Sequence, residues 1–154
     1  MQGRAYVFRR RNSAIHLGHV GWGIQTPGGY YCGATEGKGD RPSIPPGEDN
    51  GCWTQDCADE RQMMAAMRRL KYEDYKCIAV GECRPEAARN TADAQRTGGY
   101  SIAGNDCLDH VVAILRNYGL SDEDAPLARW LNAEPNYWFE RFTGDHHDVP
   151  PDAS

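Results

Sequence analysis

The chain has 154 residues, of which 40% are hydrophobic and 25% charged, with a formal net charge of −5; this suits one domain with its own core and is too short for two. No apolar run approaches the ~20 residues of a membrane-spanning helix, and the acidic balance argues against nonspecific nucleic-acid binding. The N-terminus carries its apolar stretch ahead of its basic one, unlike a secretory signal, so a cytoplasmic location is expected, with export by a specialised system leaving no readable mark, and the six cysteines should be mostly reduced.

Residues 5–9 alternate as a strand. A second strand covers 18–25, followed by the turn signal Thr26-Pro27-Gly28-Gly29 and a third strand over 30–36. Arg9, Arg10 and Arg11 form the only dense basic run and read as a solvated strand edge or loop. The Gly- and Pro-rich stretch 37–51 is long for a compact domain, a length typical of functional lids or of disorder. Over 59–71, Met63, Met67 and Leu70 recur at helical spacing, as a core-facing stripe does. A fourth strand is expected over 75–81, a weakly patterned polar helix over 86–96, and a short strand over 100–102. Leu108, Val111, Val112 and Leu115 then mark the buried face of a helix that Gly119 ends, with Gly104-Asn105-Asp106 supplying a flexible residue and two good caps at its front. Trp130, Tyr137, Trp138, Phe139 and Phe142 are expected to pack a C-terminal helical segment onto residues 1–142, a single domain, leaving 143–154 as a disordered tail.

Cys52-x4-Cys57 and Cys77-x5-Cys83 can be read as zinc ligands, but neither has the tight Cys-x2-Cys spacing, and Cys77 sits in an apolar run that suits a small buried hydrophobe. His146-His147, flanked by Asp145 and Asp148, belongs to the Pro- and Asp-rich tail. No metal and no cofactor are expected.

Cys107 falls at the first position of the amphipathic helix. The partial positive charge and free N–H groups of a helix N-terminus stabilise a thiolate and can cradle an oxyanion. Asp106 and Asp109 oppose the thiolate, and by base rate a buried cysteine is inert; the cap position favours a nucleophile. A thiol nucleophile needs a base from elsewhere in the fold. On the second strand Val20, Trp22 and Ile24 share one face, and His19, Gly21 and Gly23 the other. The glycine face would let a docked helix N-terminus approach closely, which selects His19. His16 would fall on the Val20 face of an unbroken strand, and His110 reads as a satisfied histidine on the helix's first turn. A hairpin closed around Pro27-Gly28 pairs Thr26 with Gly29, Gln25 with Tyr30 and His19 with Glu36, placing a carboxylate beside the imidazole. A turn centred on Gly28-Gly29 would instead place Lys38 there, so Glu36 depends on register; a solvated loop glutamate is the competing reading.

The segment Gly18-His19-Val20-Gly21-Trp22-Gly23-Ile24 resembles the histidine strand of NlpC-type and CHAP-type cysteine peptidases. In those families the cysteine precedes the histidine. Here the order is reversed, which resembles the circularly permuted papain-like group: PPPDE-type isopeptidases, lecithin–retinol acyltransferase-like proteins and bacterial relatives. The stretch Gly99-Tyr100-Ser101-Ile102-Ala103-Gly104-Asn105-Asp106-Cys107 is similar to that group's short strand and Asn-x-Cys opening of a helix, and Tyr30-Tyr31-Cys32-Gly33 suits the strand after the histidine. The resemblance covers residues 4–120 and implies that Cys107 is the nucleophile and His19 the base. That group's third polar residue, often a histidine, falls near Gly33, where this chain has none, so either Glu36 substitutes or the pair works as a dyad.

The expected fold is α+β, an antiparallel sheet with the Cys107 helix packed against it. The expected reaction is thiol attack on an amide, isopeptide or ester carbonyl of a peptide, protein-conjugate or acyl-ester substrate. The Cys107 N–H, with Asn105 as a second candidate, would hold the oxyanion, although Asn105 can equally be a cap. The alternatives are a binding module that retains the fold without catalysis, or a zinc-binding structural protein.

Overall fold

Alternating apolar residues in the N-terminal third build three neighbouring strands, β1 (Gly3–Arg10), β2 (His19–Thr26) and β3 (Gly29–Thr35). The computed structural model describes residues 1–12, 17–129 and 133–151; His16 and Trp130, named above, lie outside them. After β4 (Ser43–Ile44) come β5 (Cys52–Cys57), α1 (Glu60–Arg69), β6 (Asp74–Val80), α2 (Pro85–Gln95), β7 (Tyr100–Ser101), α3 (Cys107–Tyr118), α4 (Pro135–Arg141) and β8 (Asp145–Asp148). The main sheet runs β5-β3-β2-β1-β6-β8 with antiparallel neighbours, and β4 pairs with β7 in a separate two-stranded sheet. The fold is α+β, and none of its described helices is long and apolar enough to cross a membrane.

Both faces of the sheet are covered. Val20, Trp22 and Ile24 pack with Leu108, Val111 and Leu115 of α3, joined by Trp138 and Phe139 of α4. On the other face Tyr6, Phe8 and Cys32 pack with Met63 and Met67 of α1, so the methionine stripe is core. Burying each such large side chain contributes about 1.5–3 kcal/mol. The strand parity holds, but the assignment of faces is reversed. The glycine face receives α1: a Cβ on Gly21 would come within 2.8 Å of Met67 Cε, and one on Gly23 within 2.6 Å of Met63 Sδ. Long, pliable methionines fill the space above the glycines, while α3 interdigitates with the branched and aromatic face.

Within the basic run only Arg11 is exposed to solvent; Arg10 is half-buried and Arg9 buried. Arg9 is 3% exposed, stacks over Phe139 and makes a two-point contact with Asp74 (3.1 and 2.7 Å). Arg11 also reaches Asp74 (2.7 Å), and Arg10 points to the opposite face. The acidic partners of Arg9, Asp74 on β6 and Glu140 on α4, are distant in sequence, so the arginine spacing could not announce them.

Two strands lie where the sequence reading marks none. β5 alternates weakly because Thr54, Gln55 and Asp56 lie at the sheet edge. Residues 145–148, assigned to a disordered tail, form β8 on the opposite edge: His146 contacts Asp74 (2.7 Å) and His147 stacks on Tyr75. A short, charged edge strand discourages further pairing, and that polarity is what made it read as a tail.

Candidate active site

The site forms where β2 and β3 part. Their ladder begins at Thr26↔Gly29 and Gln25↔Tyr30 and ends at Trp22↔Gly33. Beyond it β2 stays with β1 (Arg9↔Val20, Arg10↔His19), while β3 stays with β5 (Ala34↔Trp53, Thr35↔Cys52). The first turn of α3 bridges the two diverging ends, with Cys107 against His19 of β2 and His110 bonded to Thr35 of β3.

Asp106 is the N-cap of α3. Its Oδ1 accepts from the Leu108 and Asp109 N–H groups (3.0 and 3.1 Å), and Asp109 Oδ2 accepts from the Asp106 N–H (3.0 Å), completing a capping box. Burial and the neighbouring Asp109 charge push the Asp106 carboxyl up to about 6, against the pull of the backbone donors. Cys107 follows at the first helical position and is 4% exposed.

His19 is likewise 4% exposed. Burial works against its charged form, but the Cys107 sulfur, which neighbours the ring without an aligned hydrogen bond, and the Glu36 carboxylate outweigh it, raising the imidazole to about 10. The hairpin register is the one that opposes His19 and Glu36. Glu36 Oε2 lies 3.0 Å from His19 Nε2 but out of line with the ring N–H, a charge contact rather than an aligned hydrogen bond.

Desolvating a carboxylate costs several kcal/mol, and Glu36 is offset against that cost by a cluster of donors. Trp53 Nε1 and the Tyr72 hydroxyl donate to Oε1 (both 2.9 Å), and Arg10 donates to Oε2 (2.9 Å). Burial alone would raise this carboxyl; His19, Trp53 and Arg10 instead bring it down to about 2. Trp53, Tyr72 and Arg10 were not found from sequence as partners of Glu36. Pairing β1 with β2 would have placed Arg10 opposite His19, but Trp53 requires β5, and Tyr72 follows α1 with no local pattern to mark it.

His110 is a satisfied structural histidine. Its Nδ1 meets the Thr35 hydroxyl (2.6 Å), and its Nε2 meets Asn105 Oδ1 (2.8 Å). Burial lowers its pKa to about 4. Asn105 is thereby withdrawn from both roles considered for it: it is not the cap, and its amide donates to the Gly98 carbonyl (3.2 Å) rather than toward the thiol.

The loop expected as a lid or as disorder is an ordered wall. Glu36 N–H bonds to the Gly51 carbonyl and Gly37 N–H to the Asn50 carbonyl, while the Asn50 side chain donates to the Gln95 and Gly99 carbonyls. With Tyr100 and Ile102 it bounds a cleft of about 610 Å³ reaching His19 and Glu36.

The zinc reading fails on strand parity. Cys77 lies in the core under α1 and Cys83 in the core under α3, on opposite faces of the sheet. Cys52 and Cys57 are an odd number of residues apart on one strand and face opposite ways. Cys57 instead approaches Cys32 (Sγ–Sγ 4.0 Å), and all six thiols are free. Burial raises the pKa of Cys32, Cys52, Cys57 and Cys77.

No known family model, curated protein or solved structure matches this chain.

Proposed function

We propose that this chain is a cysteine hydrolase of the permuted papain-like type, cleaving an amide, isopeptide or ester bond. The observation that carries the reading is the convergence of three elements: Cys107 at the start of α3, the His19 imidazole against its thiol, and Glu36 beside the ring. The order of histidine strand before cysteine helix supports the permuted arrangement.

An imidazolium facing the sulfur provides the countercharge that a thiolate needs. The thiolate attacks the substrate carbonyl, His19 gives its proton to the leaving group, and a water deprotonated by His19 then releases the acyl group. Glu36 holds and stabilises the imidazolium without reacting. With Leu108 and Asp109 N–H groups taken by the capping box, the Cys107 N–H is the backbone donor for the oxyanion.

A second reading, a binding module that retains the fold, draws on the 4% exposure of Cys107. Treatment of the full chain with an acyl-type carbonyl electrophile, followed by mapping of the modified residue, separates the two. A stable adduct on Cys107 that His19→Ala abolishes is expected. A chain that forms no adduct at Cys107 is a binding module.

A further inference from the structure

Cys32 of β3 and Cys57 of β5 hold their sulfurs 4.0 Å apart, and among the described residues this is the one sulfur–sulfur approach at hydrogen-bonding distance. The ladder explains it. Tyr30 faces Cys57 and Cys32 faces Gln55, so the two cysteines are diagonal neighbours on one face of the sheet. Both are buried in the layer beneath α1. Cys77 is buried in the same layer with no sulfur at that distance, so packing as a small apolar group does not require a pair.

The two sulfurs have different surroundings. Cys32 lies wholly within the core, whereas Cys57 lines a surface cleft of about 500 Å³ between the β2–β3 turn and α2, walled by Thr26, Tyr30, Asp56 and Arg89. Gln55, on the same face as Cys57, donates its amide N–H toward that sulfur (3.7 Å). The amide oxygen accepts from Arg69 of α1 (3.0 Å), which fixes the end that meets the sulfur. Cys57 thus has a route to small solutes and a donor for developing negative charge. Burial raises both thiols above their ordinary pKa, so neither is quick toward an alkylating reagent. What the pair offers is proximity: a step between two groups already held together escapes the entropy cost of bringing them together.

We propose that Cys32 and Cys57 form a dithiol site, separate from Cys107, that a small hydroperoxide oxidises to an intrachain disulfide. Cys57 gives up its proton and attacks a peroxide oxygen. An S–O bond forms, the O–O bond breaks, and the departing oxygen takes that proton to leave as water or an alcohol. The Cys32 sulfur then attacks the sulfenic sulfur of Cys57, an S–S bond replaces the S–O bond, and hydroxide leaves with the Cys32 proton as water. One hydroperoxide is reduced and two thiols are oxidised. The sulfurs close from 4.0 Å to about 2.05 Å, and β5, with a neighbouring strand on one side only, is the element that yields. The link fastens the strand carrying Trp53, a donor to Glu36, to the strand that leads into Glu36.

Hydrogen peroxide on the folded full chain tests this, with remaining thiols blocked under denaturing conditions and the peptides mapped by mass spectrometry. The expected product is a Cys32–Cys57 linked peptide, two hydrogens lighter than its reduced parts, released by dithiothreitol and assigned to Cys57 rather than Cys52 by fragmentation. In Cys32→Ser the sulfenic acid has no partner, and dimedone is expected to trap it at Cys57. In Cys57→Ser, Cys32 is expected to stay unmodified. Recovery of both thiols from the parent chain at peroxide levels that oxidise the exposed Met1 overturns the site. So does a link that joins Cys32 or Cys57 to another cysteine or to a second chain. Dimedone on Cys32 in Cys57→Ser, with none on Cys57 in Cys32→Ser, overturns the assignment of Cys57 as the attacking thiol.

Discussion

His19 packs against the first turn of α3 and His110 belongs to it, and both are buried, at 4% and 5% exposure. Their charge states are nevertheless opposite. His19 faces a thiol and a carboxylate and is raised to about 10, whereas His110 is held by a hydroxyl and an amide oxygen and is lowered to about 4. Burial is common to both, so the partners decide the charge. An ion-bearing wall holds a protonated imidazole, and a neutral polar wall holds a neutral one that ties α3 to β3. The first can move protons during a reaction; the second is a strut.

The largest expected consequence separates the two histidines in turnover. On an activated aryl ester, His19→Ala should lose about 10²–10⁴-fold, the usual worth of a positioned acid–base group, while His110→Gln should leave turnover nearly intact. Equal losses would erase the distinction. Next comes Glu36→Gln, which keeps the shape and removes the charge. Turnover should fall at least ~10-fold, because the carboxylate orients and stabilises the imidazolium, with the circular dichroism spectrum unchanged. Full turnover would reduce the site to a dyad.

A smaller effect, on stability rather than chemistry, is expected at the strut. Thr35→Val leaves the buried Nδ1 of His110 without its partner and should cost about 1–3 kcal/mol in denaturant unfolding, with Cys107 labelling unaffected. The pH dependence has opposite signs at the two rings. Folded His19 binds its proton more tightly than the unfolded chain does, so its contribution is full below the ordinary imidazole pKa of about 6.5 and is lost as pH rises through about 10. His110 does the reverse: the unfolded chain takes up a proton that the fold refuses, and stability falls as pH drops from about 6.5 toward about 4. Histidine resonances followed by NMR should show one ring still protonated at neutral pH and another still neutral in mild acid.

The sequence exposed the parts of this site that rest on local rules. A proline–glycine turn set the β2–β3 register and with it the opposition of His19 and Glu36. Helix patterning placed Cys107 at the start of α3. What it hid depends on contacts between distant segments. Both faces of β2 are covered, so its parity could not reveal that the glycines would receive methionines and the branched face the Cys107 helix. Arg10, Trp53 and Tyr72 converge on Glu36 from three separate elements or loops. Asn105 looked like a free amide because its partner, His110, becomes a neighbour only once the helix forms.

The most direct test is the iodoacetamide rate at each of the six cysteines as a function of pH, read by peptide mass spectrometry in the parent chain and in His19→Ala. Burial raises the pKa of Cys32, Cys52, Cys57 and Cys77, so those thiols should stay slow. The expected result is that Cys107 labels first and that His19→Ala slows it and changes its pH profile. Faster labelling at Cys32 or Cys77, or a Cys107 profile indifferent to His19, would contradict a coupled nucleophile and base.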